Sequence, residues 1–186
     1  MYRISQDPRV KKSAELISNG FITCSHSKKY NDITISDIQQ ASGVSRSTFY
    51  RIFDNTEDVL LYICDKLCMQ VCEKFKLAHS SKEFSLLFLE MLMEQADTIT
   101  LFFESDNLNM FSHSLEKYLQ EYNIHLEALK PLDPYTVDYA LRLLSTNISC
   151  LLSVWIEHGK TETPTEVYDR FTQCMQYMGS LFYDTM

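Results

Sequence analysis

The 186 residues are 45% hydrophobic and 23% charged, the balance of a soluble globular chain with a sizeable core. Four Gly and four Pro leave little for hairpins or long loops, so many helices with short connections are expected. The net charge of −8, taken whole, argues against a polyanion partner, but it is unevenly spread. Residues 1–53 hold eight Lys and Arg against four acids, net +4; the rest holds nine bases against twenty-one acids, net −12. A basic head on an acidic body suits a protein that presents one end to nucleic acid.

In chain order, Asp7-Pro8 predicts a first helix, with an N-cap residue before Pro. Val10, Ala14, Ile17 and Phe21 form its buried stripe. Residues 25–32 read as a loop. Thr34 caps a short second helix to about Ser42, with Ile35, Ile38 and Ala41 expected inward, and Gly43 breaks it. Ser45 caps a third helix, Arg46 to Phe53, with Phe49 and Phe53 inward. After the break at residues 54–56, a fourth helix runs to about Leu77 on Leu60, Ile63, Leu67 and Val71.

Further helices are expected from Ser80 or Ser81 to Ala96, from Asp97 to about Ser105 and from Asn107 to Leu129, before Pro131 and Pro134. Val137, Leu141, Leu144, Ile148, Leu151 and Trp155 alternate steps of four and three, the seam of a long helix packed against another. Gly159 ends it. Pro164 opens a last helix with the same alternation at Val167, Phe171, Cys174, Met178 and Leu181. Strand signals are almost absent, and the fold class is all-α.

The start, Met1 to Val10, has no apolar run of a signal peptide, and residues 143–156 fall short of a membrane span. A cytoplasmic location without membrane partners is therefore expected, with six reduced cysteines. Cys64, Cys68 and Cys72 recur every four residues, which admits a redox or soft-metal reading. Each step drifts 40°, so Cys64 is expected in the core and Cys68 and Cys72 towards its flank. The five His (His26, His79, His113, His125 and His158) are scattered, so no metal site is expected. Without a nucleophile–base pair or phosphate loop, neither an enzyme nor a cofactor is expected.

Function is carried by residues 33–53. Two short helices meet at Gly43, where a positive φ would exclude most side chains, and Val44 plugs the turn. The second helix keeps Arg46, Ser47, Thr48, Tyr50 and Arg51 off the face of Phe49 and Phe53, the division a helix in the major groove needs.

Thr34, Ile38, Gly43, Val44, Ser45, Thr48, Phe49, Tyr50, Phe53 and Leu60 resemble the DNA-binding head of the TetR/AcrR family at fixed spacing, over about residues 8–65. The resemblance implies a helix-turn-helix unit (residues 1–56) joined to a helical ligand-binding and dimerisation unit (residues 57–186). It implies base or nearby backbone contacts for Arg46, Ser47, Thr48 and Arg51, a phosphate contact for Tyr50, and sugar-phosphate contacts for Ser36 and Ser45. Arg46 either pairs with a guanine or meets phosphate only.

Three positions depart from the family pattern. Gln39 and Ser42 replace small apolar residues, and Thr56 replaces a Lys that holds phosphate; Lys28 and Lys29 in the preceding loop either compensate or stay solvated. Residues 155–167 resemble the junction in a branch of small TetR-like regulators that includes those of dihydroxyacetone-kinase operons. The implied partners are an operator duplex, a second copy of the chain, and a small-molecule effector or a protein partner. A repressor released by an effector is expected, with a co-activator that docks a protein as the alternative.

Overall fold

The computed structural model describes residues 1–75, 80–104, 107–122 and 132–183, and among these it is all-α. The helices are α1 (Pro8–Ser25), α2 (Ile35–Ser42), α3 (Arg46–Ile52), α4 (Thr56–Phe75), α5 (Ser81–Glu94), α6 (Ala96–Glu104), α7 (Leu108–Glu121), α8 (Pro134–Glu157) and α9 (Pro164–Tyr183). The expected ends of the fourth helix at Leu77 and of the seventh at Leu129, together with Ser105, Pro131, His79 and His125, lie outside the described residues.

Local chemistry sets the boundaries. Asp7 accepts the Arg9 amide at 2.8 Å ahead of Pro8. Thr34 and Asp37 close a capping box on α2, and Gly43 ends that helix at φ 68°. Asn55 Oδ1 takes the Asp58 amide at 2.8 Å in the first turn of α4. Ser80 caps α5 and Asp133 caps α8. Thr163 and Glu166 exchange hydrogen bonds at the start of α9.

One buried cluster runs from Ala14, Ile17 and Phe21 of α1 through Phe49, Ile52 and Phe53 into α4, then on to α6, α7 and α8. Aromatic side chains occupy its interior: Phe102 and Phe111 are fully buried and stack at 6.0 Å. A smaller cluster of Leu89, Trp155 and Val167 joins α5, α8 and α9.

Packing corrects several expectations. Ala41 is exposed, and Ser42 is the residue turned against α1. The partner there is Gly20: a Cβ at that position would stand 2.9 Å from Ser42 Cβ and 3.1 Å from the Ile38 carbonyl. A glycine in mid-helix thus lets α2 settle onto α1.

Cys68 and Cys72 are as buried as Cys64, because α4 is covered by α1, α5 and α7 and not along one stripe. Burial pushes the Cys72 thiol up to about 12 and raises Cys68 as well, which disfavours the thiolate form of both. Among the described residues no group of three or more His, Cys, Asp or Glu is placed to hold a metal ion.

The seam of α8 is also rotated. Its buried line is Leu141, Ser145, Ser149, Leu152 and Trp155, while Val137, Leu144, Ile148 and Leu151 are half-buried. Serine permits the approach of α7, with Ser112 and Ser149 hydroxyls 3.1 Å apart. On α9, Val167 is buried, but Cys174, Met178 and Leu181 are exposed. By length and composition α8 is apolar enough to cross a membrane, more than the sequence reading allowed, and it packs here on α7.

Candidate nucleic-acid interface

The helix-turn-helix is built on α2 and α3, held by α1. Ile38, Phe49 and Ile52 are fully buried beneath it. With Phe49 anchored, the opposite side of α3 presents Arg46, Ser47, Tyr50 and Arg51 to solvent. Tyr50 meets Phe49 edge-on at 5.6 Å, which fixes its ring while leaving the residue 40% exposed.

The expected site residues fall into three groups. Ser45, Ser47 and Thr48 are joined: the Ser45 hydroxyl accepts the Thr48 amide at 3.3 Å, donates to Thr48 Oγ1 at 2.9 Å, and lies 3.1 Å from Ser47 Oγ. Ser45 is therefore occupied as the N-cap of α3, and Thr48 is half-buried. Arg46 and Tyr50 form the second group: the guanidinium carbon lies 5.5 Å from the ring centroid, and Nη2 donates to the phenol oxygen at 3.4 Å. Ser36 is exposed in the first turn of α2, and Arg51 in the last turn of α3.

The surrounding charge is partly committed. Lys28 binds Asp37 at 2.7 Å, so this loop lysine braces the α2 capping box and is not simply solvated. Its ammonium, then the Thr34 hydroxyl and amide, hold the Asp37 carboxyl down at about 2. Lys29 is exposed, and Thr56 lies half-buried at the start of α4. Gln39 Nε2 is buried without a hydrogen-bond partner.

One set of contacts had no local sequence signal. The segment before α1 crosses behind α3. The Arg3 amide donates to the Ile52 carbonyl at 2.7 Å, and its guanidinium clamps Asp54 at 2.6 and 2.8 Å. That clamp lowers the Asp54 carboxyl. The Tyr2 ring packs on Phe53 and, edge-on, on Tyr62, and its hydroxyl donates to Asp65 at 2.6 Å. Burial first, then Asp65, raise the Tyr2 phenol.

Comparison with known proteins agrees with this geometry. No protein-family model matches the chain. An uncharacterised HTH-type transcriptional regulator, YxbF, of Bacillus subtilis strain 168 is 35% identical over 81 residues, 43% of this chain and 21% of the relative. The match thus spans about a fifth of that relative's length.

A TetR transcriptional regulator from Streptococcus agalactiae superposes with TM-score 0.65 at 21% identity, covering 91% of this chain and 96% of its own. DhaS, a dihydroxyacetone kinase operon activator, superposes with TM-score 0.61 at 19% identity, covering 89% and 95%. The chain therefore has the all-α fold seen in TetR-type regulators.

Proposed function

We propose that the chain is a sequence-specific DNA-binding transcriptional regulator that acts as a homodimer, with residues 1–56 reading DNA and residues 57–186 dimerising and receiving the signal. The observation that carries this is α3: Arg46, Ser47, Tyr50 and Arg51 face outward from a helix whose other side is fixed by Phe49 and Ile52. Arg46 stands at the first position of α3, where recognition helices meet base edges, and a bidentate pair with guanine is worth about 1–3 kcal/mol. Ser47, Thr48 and Arg51 contact bases or the adjoining backbone, Tyr50 a phosphate, and Ser36 and Ser45 the sugar-phosphate chain.

Dimerisation is supported by apolar surface that one copy leaves open. Tyr135, Tyr139, Leu143 and Val154 are exposed along α8, as are Tyr177, Met178 and Leu181 on α9. Between them lies an apolar cleft of about 300 Å³, lined by Leu151, Val154, Trp155, Phe171 and Met178 among others. A two-fold axis through this face buries both stripes and pairs two α3 helices for two half-sites.

The working mode is repression, relieved when a small molecule binds residues 57–186 and alters the separation of the two α3 helices. A second reading, activation through a docked protein, is favoured by the likeness to DhaS, an activator by name. A DNA mobility-shift series with candidate metabolites separates them, since release by a small molecule supports repression. For DNA binding itself, Arg46→Ala with Tyr50→Ala is expected to abolish specific binding while the fold and oligomeric state persist. Unchanged affinity of the double variant would overturn the assignment.

A further inference from the structure

Asp65 lies on α4 and is almost fully buried. A carboxylate removed from water is tolerated only where donors replace it, and three do so here. Tyr2 donates to Oδ2 at 2.6 Å, Ser114 to Oδ1 at 2.7 Å, and Lys117 reaches Oδ2 at 3.4 Å. Two of these come from α7, and one comes from the segment ahead of α1.

The same segment holds the far end of α3. One residue beyond Tyr2, Arg3 binds the Ile52 carbonyl and Asp54, while the Tyr2 ring rests on Phe53, the C-cap of α3. A continuous path therefore runs from Ser114 on α7, through Asp65 and Tyr2, to the last turn of α3. Its links are short hydrogen bonds, one ring contact and the peptide bond that joins Tyr2 to Arg3. Hydrogen bonds to a carboxylate are directional and roughly twice as strong as neutral ones, so this path resists tilting as well as separation.

We propose that this Ser114–Asp65–Tyr2–Arg3 path is a strut that sets the orientation of α3 from α7, making Tyr2 and Asp65 positioning residues for DNA recognition. The positioning role rests on α3 being the DNA-reading helix; the strut itself does not. Displacing α7 relative to α4 pulls Ser114 from Asp65, loosens Tyr2 and frees the end of α3. Whatever acts on the C-terminal helices thereby gains a route to the DNA-reading helix that bypasses the length of α4.

Hydrogen exchange read by mass spectrometry on the whole 186-residue chain, free of DNA, tests the strut. Tyr2→Phe removes one hydroxyl and keeps the ring, so the fold is retained. Amides of residues 46–54 are expected to exchange about tenfold faster, the population change that follows from losing one hydrogen bond to a carboxylate. Ser114→Ala, on α7, is expected to raise exchange in the same residues, and the double variant to add little to either single change. Faster exchange confined to residues 1–6 in Tyr2→Phe, or to α7 in Ser114→Ala, overturns the strut.

DNA affinity then separates the two readings. If Arg46→Ala with Tyr50→Ala abolishes binding while Tyr2→Phe leaves affinity unchanged, the positioning role fails and α3 remains the reader. If the Arg46–Tyr50 double variant binds as the parent does, the DNA reading itself has failed, whatever the exchange data give. A several-fold loss of affinity in Tyr2→Phe alongside the exchange change is the expected result.

Discussion

Arg46 and Tyr50 rest on one another in the free protein, with the guanidinium 5.5 Å from the ring centroid. If Arg46 meets a base as proposed, an Arg already stacked on a ring loses less rotamer freedom in doing so than a solvated one would. Ser45, by contrast, spends its hydroxyl on the α3 cap, so a sugar-phosphate contact there draws on a residue that also holds the helix start. Gly20 makes the sharpest single-residue prediction. Gly20→Ala places a methyl 2.9 Å from Ser42 Cβ and close to the Ile38 carbonyl, forcing α2 off α1 at a cost of about 1–3 kcal/mol. Thermal unfolding followed by circular dichroism is expected to show a lowered melting temperature; an unchanged or raised one would mean that α2 moves freely on α1. Gly43 was legible in the sequence because a break between two short helices calls for positive φ, and its φ is 68°. Gly20 was not, because close approach between helices leaves no mark on either sequence alone.

Among the elements, α2 is short enough for its caps to matter, and its capping box is bound to a charge. The Lys28 ammonium and Thr34 hold the Asp37 carboxyl at about 2, below the ordinary carboxylate value near 4. A carboxyl depressed in the folded state contributes stability that is fully present above its unfolded value and is lost as pH falls through the folded one. The Asp37 contribution is therefore intact at pH 5 and fades between about pH 4 and pH 2. Asp37→Asn keeps an acceptor for the Thr34 amide but not the pairing with Lys28. The parent is expected to melt higher than Asp37→Asn at pH 7, with the gap closing towards pH 2; a gap constant over that range would contradict the assignment. Helix existence and the caps at Asp7, Thr34 and Ser45 were legible because capping is local chemistry. The faces of α4 and α8 were not: periodicity marks one stripe, whereas α4 is buried on several sides and α8 packs through serines that carry no hydrophobic signal.

At the scale of the whole molecule, the +4 of residues 1–53 against −12 elsewhere is the polarity that the proposed DNA-reading end requires, even though the total is −8. The same scale decides assembly. Charging the exposed line of α8 by Tyr139→Glu with Leu143→Glu is expected to convert a dimer into a monomer in sedimentation experiments without loss of helicity, since both side chains are outside the core. A dimer that survives both changes would place the interface elsewhere. The contacts of Tyr2 and Arg3 across 49 to 63 residues belong to this scale too, and no short window of sequence could have held both partners. Pairing of two α3 helices on one duplex is tested most directly by selecting duplexes from a random DNA library with the purified 186-residue chain. Enrichment of an inverted repeat is expected, with half-sites about one helical turn or a multiple apart, and it is expected to be lost when Arg46 and Tyr50 are both replaced by alanine. No enriched motif from the parent, or the same motif enriched by the double variant, would contradict it.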